Sequence, residues 1–321
     1  MILALLVALA FGLSGCQALS NSPSPQGSFK PATDLADLPN NQGQLRVTFL
    51  DVGQADSILV QLPNQKVMLV DAGSNEDGPR VISELKRAGV KQIDYLVGTH
   101  PHEDHVGGID DVIRAFPIGT VVMPKVPHTT DTYLDVLRAL EAKKLKVAPA
   151  GAGLVLLNER VPLKLPAQSP VSGPRDLLLR VQLLGPVGSK YEDLNNWSAV
   201  VRVQYGETVF LLMGDAEATA ESEILAAAKA ARYGFTSRDL RANVLKVGHH
   251  GSSSASTKAF LEAVQPEYAV ISVGAHNDYG HPHRKTLSRI RAMGTRVLRT
   301  DEDGTIVFLS DGRKLTYTVS Q

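Results

Sequence analysis

Short apolar runs broken by Gly, Asn and Pro open the folded part of the chain at 45–50, 57–62 and 67–70, and that length and punctuation predict strands. The spacing then changes. Over 79–88, Val81, Ile82 and Leu85 share one helical face, and Gly89 ends the run. A short buried strand follows at 95–98. Helices are predicted at 108–115 and 132–143, each leading into a short strand, at 120–123 and 146–148. The stretch 151–175 is loop-rich, with short strands at 154–157 and 161–165. The second half opens with a strand at 177–184 and a hairpin of 199–204 and 208–213 turning at Gly206. A helix at 216–228, a strand at 244–247, a helix at 257–264 and a strand at 268–272 come next. A helix at 282–293 and strands at 296–298 and 305–309 complete it. Strand clusters alternating with helices in two halves predict an α/β fold of two facing sheets with helices outside, a four-layer αββα sandwich.

Ahead of residue 44 the pattern is different. An apolar run over 2–13 has the size of a signal-peptide core and is too short to span a bilayer. It ends in Leu13-Ser14-Gly15-Cys16, which looks like a lipobox, although no Lys or Arg precedes it. The expectation is a lipoprotein signal over 1–16, with Cys16 acylated and the protein lipid-anchored outside the cytoplasm of a bacterium. An ordinary secretory signal, leaving a secreted protein, is the alternative. Residues 17–43 are rich in Ser, Pro, Asn and Gln and poor in large apolar residues, so they are read as a tether. Residues 44–321 form the folded domain.

Composition adds limits rather than answers. Apolar residues make up 43% and charged residues 21%, ordinary for a globular protein. Lys+Arg and Asp+Glu balance at 33 each, so net charge argues neither for nor against a nucleic-acid partner. Cys16 is the single cysteine, which excludes intrachain disulfides and thiolate metal sites. Any metal must therefore be held by His, Asp, Glu or Asn, a donor set suited to Zn²⁺ or Mn²⁺.

One stretch concentrates those donors. In Thr99-His100-Pro101-His102-Glu103-Asp104-His105-Val106-Gly107-Gly108, four ligand-type side chains fall within six residues, directly after a predicted buried strand. A loop at a strand end can aim such side chains at one point, and His and Asp clustered there have no packing purpose. The stretch resembles the H-x-H-x-D-H signature of the metallo-β-lactamase superfamily. Asp71, in Val70-Asp71-Ala72-Gly73, is similar to that family's early aspartate, which steadies the His loop from behind. Asp215, in Leu212-Met213-Gly214-Asp215, is similar to the carboxylate that bridges both metals, and His249-His250-Gly251-Ser252 to the late histidine motif. Within the superfamily, Leu50-Asp51-Val52-Gly53-Gln54-Ala55-Asp56-Ser57, Asn195-Asn196-Trp197-Ser198, Lys246–Ser252 and Tyr279-Gly280-His281-Pro282 resemble the soluble domain of ComEC-type competence proteins. Phosphocholine esterases of surface teichoic acids share parts of this layout.

The resemblance implies two divalent ions, Zn²⁺ or Mn²⁺. Where many members place a third imidazole for metal 1, this chain has Asn195-Asn196. The expected ligands of metal 1 are therefore His100, His102 and Asp215, helped by Asn196. Those of metal 2 are Asp104, His105, Asp215 and one of His249 and His250, because neighbours on an extended chain point opposite ways. His281, Asn196 and Ser252 are expected to contact substrate, with His281 or the spare histidine protonating the leaving group. Asp104 and Asp215 would orient the attacking water, which two divalent ions acidify. His128 reads as a loop histidine without ligand neighbours, and Asp56 divides evenly between a structural and a site role.

The function implied is an exported metal-dependent hydrolase acting on a phosphodiester, DNA included. Teichoic-acid esterase or β-lactam hydrolysis are alternatives on the same scaffold, the latter weakened by the missing imidazole. A surface-tethered module that only binds DNA is the reading from another class. Binding alone has no need of Asp104, His105 and Asp215 together.

Overall fold

The computed structural model describes residues 43–162 and 176–321. The expected signal segment, Cys16, the expected tether up to residue 42 and residues 163–165 of one predicted strand lie outside the described residues.

The first sheet has eight strands in the order β15-β14-β1-β2-β3-β4-β5-β6. β1 (Leu45–Phe49), β2 (Ile58–Gln61) and β3 (Val67–Val70) run antiparallel to one another. β4 (Ile93–Val97), β5 (Ile118–Met123) and β6 (Val147–Pro149) then extend the sheet in parallel. β14 (Ile306–Ser310) and β15 (Leu315–Val319) close its other edge. The second sheet repeats the plan with seven strands in the order β13-β12-β11-β10-β9-β8-β7. β7 (Val155–Pro162), β8 (Asp176–Leu183), β9 (Val201–Tyr205) and β10 (Thr208–Leu212) are antiparallel. β11 (Val244–Lys246), β12 (Tyr268–Ile271) and β13 (Arg296–Arg299) continue in parallel with β10.

Alternation along the strands sorts side chains into layers. On β2, Ile58 and Val60 enter the core between the sheets while Leu59 faces outward to helices. On β10, Phe210 and Leu212 point inward and Leu211 outward. The inner core joins Val47, Val97, Leu179 and Val203, with Phe308 edge-on to Phe49 and Phe210. The outer face of the first sheet is covered by α1 (Gly78–Arg87), α3 (Ile109–Ala115) and α4 (Asp131–Ala142), through Leu85, Val112 and Val136. That of the second is covered by α5 (Ala218–Lys229), α6 (Lys258–Val264) and α7 (Arg284–Ala292), through Ile224, Phe260 and Ile290. Helix, sheet, sheet and helix are thus stacked as the strand and helix pattern predicts. Strands buried on both faces read as unbroken apolar runs, which is why the central ones were legible.

Differences are confined to edges. The described parts of the two short strands expected at 154–157 and 161–165 lie in one strand, β7, and β15 falls where no strand is expected. Its sequence Leu-Thr-Tyr-Thr-Val is half-exposed along its length, so it carries no apolar run. Among the described residues, no helix is long and apolar enough to cross a membrane.

The two sheets are also pinned by charge. Lys246, at the end of β11, is fully buried and places its ammonium 2.8 Å from the carboxylate of Asp56, in the loop before β2. The same ammonium donates to the Val247 carbonyl at 2.9 Å. Removing one partner of a buried pair strands the other charge. Lys246→Met is therefore expected to cost about 3–5 kcal/mol in urea unfolding of the metal-free protein, with partial recovery on adding Asp56→Asn. An unchanged unfolding midpoint in the single variant would show that the pair does not hold the sheets.

Candidate metal centre

Parallel strands bring the site together. In open α/β sheets, functional loops gather beyond the carboxyl ends of strands. Here Asp71 follows β3, His100 to His105 follow β4, Asp215 follows β10 and the 248–251 turn follows β11. Residues 274–283 connect β12 to α7. The Ala199 amide donates to the Thr99 carbonyl at 2.9 Å, and Gly274 N donates to Gln54 Oε1 at 3.1 Å, so backbone from each sheet holds the other.

Asp71 is 1% exposed and sits behind the histidine loop. Its Oδ1 accepts from the Thr99 amide at 2.7 Å. Its Oδ2 accepts from Thr99 Oγ1 at 2.7 Å and lies 2.8 Å from His105 Nδ1. That contact fixes the ring and turns Nε2 of His105 toward the cluster. Burial raises the Asp71 pKa against the opposing pull of His105. His250 is oriented in the same way, with Nδ1 2.8 Å from the Ser272 carbonyl, and His249 with Nδ1 2.8 Å from Glu217 Oε1.

Two sets of donors result, one on each oxygen of Asp215. Around Oδ1, His105 Nε2 lies at 3.1 Å and His250 Nε2 at 3.7 Å. Asp104 Oδ2 stands 3.1 Å from His250 Nε2 and 3.8 Å from His105 Nε2. These four donors lie within 4.8 Å of one another. Donors about 2.0–2.1 Å from a shared tetrahedral ion stand about 3.3 Å apart, so the set fits a divalent metal. Around Oδ2, His100 Nε2 and His249 Nε2 each lie at 3.8 Å, and His102 Nδ1 is 2.9 Å from His100 Nε2. His105 Nε2 and Asp215 Oδ1 are both buried without an aligned hydrogen bond, an arrangement that a cation between them satisfies. Burial opposes the charge on Asp215, but His105 and His250 outweigh it and hold the carboxyl well below its ordinary range. Asp104 is likewise held down, by His105 and His250 against burial.

Three expectations are corrected by this geometry. Asn196 is not available to a metal or a substrate: its Oδ1 accepts from the amides of Glu217 and Ala220 at 3.3 and 3.1 Å, capping the start of α5. Both His249 and His250 face Asp215, not one of them. The turn is not extended; the two residues adopt φ of 47° and 48°, which swings both rings to the same side. The imidazole thought missing around Asp215 Oδ2 is therefore His249. Ser252 is 7% exposed and its hydroxyl lies 2.8 Å from Ser254 Oγ, which donates to Glu217 at 2.6 Å. It belongs to the support of His249, not to the pocket.

Glu217 escaped the sequence reading, while His128, Asp56 and His281, which it named, take definite places. Glu217, two positions after Asp215, had no motif to mark it, yet it holds His249. His128 is brought against His102, with ring centroids 6.4 Å apart, so its loop does reach the site. Asp56 lies 3.7 Å from His250 Nδ1 and 4.0 Å from His105 Nδ1, behind the donor set around Asp215 Oδ1. His281 enters the wall of the pocket, its ring 5.4 Å from that of His249. Burial, with His249, His250 and His283 around it, lowers its pKa to about 4. That direction favours the neutral imidazole, whose ring N–H can donate a hydrogen bond into the pocket. The donor sets open onto a cavity of about 480 Å³, lined also by Gln54, Ser74, Glu103 and Tyr279.

The family model described as the metallo-beta-lactamase superfamily matches residues 50–276. The chain belongs to that superfamily. The "ComE operon protein 3" of Bacillus subtilis is 31% identical over 290 residues, covering 85% of this chain and 34% of that protein. "Competence protein ComA" of Neisseria gonorrhoeae is 30% identical over 272 residues, covering 84% and 33%. The chain thus spans about a third of the length of these relatives, and the likeness to competence proteins drawn from its motifs is borne out. Among solved structures, CmlA, a diiron beta-hydroxylase from Streptomyces venezuelae, is similar with a TM-score of 0.47 and 14% identity, covering 79% of this chain and 52% of that one. Superfamily membership and the His/Asp cluster together support a hydrolase with a dinuclear divalent metal site.

The cap assignment has its own test. Asn196→Ala is expected to leave the bound metal unchanged while lowering stability by about 1 kcal/mol, the usual worth of a helix cap. Loss of metal in that variant, read by elemental analysis, would return Asn196 to the metal site.

Proposed function

We propose that this chain is a metal-dependent phosphodiesterase whose substrate is a nucleic acid outside the cytoplasm. The observation that carries the reading is Asp215, buried between two donor sets that share it and that open onto one cavity. Kinship with competence proteins supports nucleic acid over other phosphodiesters.

A bound pair of divalent ions supplies Lewis acidity, neutralising charge on a phosphoryl group and acidifying water. His100, His102, His249 and Asp215 would hold one ion, and Asp104, His105, His250 and Asp215 the other. Neither set contains a thiolate, and the mixture of imidazole and carboxylate takes Zn²⁺ or Mn²⁺. The chain's own contribution is position. Asp71, Glu217 and the Ser272 carbonyl lock three rings, so the donors do not reorganise during the reaction. Asp104, partly exposed at the cavity, is placed to orient an attacking water through its carboxylate. Neutral His281 is placed to donate a hydrogen bond to a phosphoryl or leaving oxygen.

For location, we propose anchoring through an acylated Cys16, on the strength of the apolar run and the Leu13-Ser14-Gly15-Cys16 motif. Cys16→Ser is expected to move the full-length protein from the membrane fraction to the soluble one. Equal membrane retention of both forms would remove the anchor.

The activity is tested with purified protein, elemental analysis and four substrates: bis-p-nitrophenyl phosphate, single-stranded DNA, a phosphocholine ester and a cephalosporin. The expected result is two ions per chain and hydrolysis of the first two substrates. Asp104→Asn should drop metal content toward one ion and Asp215→Asn toward none, each cutting turnover at least about 10²-fold. Full activity in either variant, or cleavage of the cephalosporin alone, would refute the reading.

A further inference from the structure

Tyr279 is the most exposed large apolar side chain among the described residues, at 68%. It is also a wall of the metal cavity. One face of its ring is stacked on His281, with centroids 5.7 Å apart and planes within 21°. The opposite face is left for solvent. No other Phe, Tyr or Trp is among the residues lining that cavity.

The loop that presents this ring is braced. Asn277 Nδ2 donates to the carbonyls of Gly274 and His281 at 2.9 and 2.7 Å. Its Oδ1 accepts from the amides of Tyr279 and His281 at 3.2 and 3.0 Å. Gly251, at φ +83°, packs so closely against Pro282 that an added Cβ would fall 2.6 Å from the proline Cβ. The loop is therefore tied to the His249–His250 turn, and the Tyr279 ring is held in register with the metal ligands. An aromatic face fixed before binding costs little ordering when a partner stacks on it.

The charge around the cavity is uneven. On the lip made by the first sheet, Glu103 lines the opening and Glu76 is exposed nearby. Arg284 and Lys285 are exposed at the start of α7, directly after His283, with Asp278 the acidic residue of the preceding loop. His283 stands 4.8 Å from His281, ring to ring. The basic pair after His283 offers a polyanionic strand a favourable approach on the side where Tyr279 stands as a lone aromatic ring beside the metal site. A quaternary ammonium would want several rings around it, and Tyr279 alone offers one flat face.

We propose that Tyr279 is the stacking platform for the base next to the scissile phosphodiester, with Arg284 and Lys285 guiding the backbone that leads to it. This rests on the phosphodiesterase reading and assigns the specificity within it. Tyr279 selects single strands, because only an unpaired base can leave its neighbours and lie on the ring.

The test is fluorescence anisotropy with a fluorescein-labelled oligothymidylate and an abasic strand of equal length, on the full chain carrying D104N, which slows turnover at least about 10²-fold. Tyr279→Ala is expected to weaken oligothymidylate binding about 5- to 100-fold, the worth of one base–aromatic stack, and to leave the abasic strand unaffected. Tyr279→Trp should restore binding. Joint Arg284→Ala and Lys285→Ala should weaken both strands and flatten the salt dependence of binding. Equal losses on the two strands, no loss with Tyr279→Ala, or no binding of oligothymidylate at all would overturn the platform. Failure of the phosphodiesterase reading looks different: the Tyr279-dependent binding persists, but the unsubstituted protein with its metals hydrolyses neither bis-p-nitrophenyl phosphate nor DNA.

Discussion

Four carboxylates crowd around one imidazole, and the rest of the site answers to that constraint. His105 has Asp71, Asp215, Asp104 and Asp56 at 2.8, 3.1, 3.8 and 4.0 Å. Three of these acids are almost wholly buried. Like charges so close in a desolvated setting cannot all stay ionised without positive charge among them. Lys246 supplies one such charge from beneath, to Asp56. The remaining deficit lies on the cavity side, between Asp104 and the two oxygens of Asp215. A pair of divalent ions would make it up, and the acid cluster then reads as a feature built for metal binding.

The fold supports that concentration of charge by topology. Each sheet passes from antiparallel to parallel pairing, and the parallel strands of both deliver their carboxyl ends to one place. Glycine is required where the connecting backbone turns tightly. At Gly107 a Cβ would lie 2.3 Å from the Asn75 amide nitrogen, so α2 (Glu103–Val106), which carries Asp104 and His105, could not pack where it does with any larger residue. Apolar burial makes the sandwich, but these close approaches bring the ligands of the two halves within reach of each other.

Much of this was readable before any coordinates. Central strands were legible as unbroken apolar runs, and the 100–105 cluster because its ligands are neighbours in sequence as well as in space. Asp215 and the His249–His250 pair lie far along the chain, and resemblance alone connected them to it. What failed had a common cause. The function of Asn196 depends on where α5 begins, twenty-one residues later at Glu217, and nothing local distinguishes a capping amide from a ligating one. The orientation of His249 and His250 turned on left-handed backbone angles, whereas the alternation rule assumes an extended chain. Glu217 and His128 act through contacts made by a loop or helix end, and such contacts have no periodicity to read.

Correcting Asn196 also changes what can discriminate among substrates. With His249 facing Asp215 Oδ2, that donor set has three imidazoles, and a shortage of histidine no longer weighs against β-lactam hydrolysis. The metal cage is then neutral on the question, as expected when one scaffold serves many chemistries. Selectivity has to come from the rim. Glu103, Tyr279 and His281 are what a substrate meets after the ligands themselves, and they differ in charge and shape from one lip to the other. A small ring system with a single carboxylate, such as a β-lactam, can meet only part of that rim at once. An anionic strand with a base to stack would gain along its whole length, which is the ground for proposing a nucleic acid among the esters that two-metal chemistry could cleave.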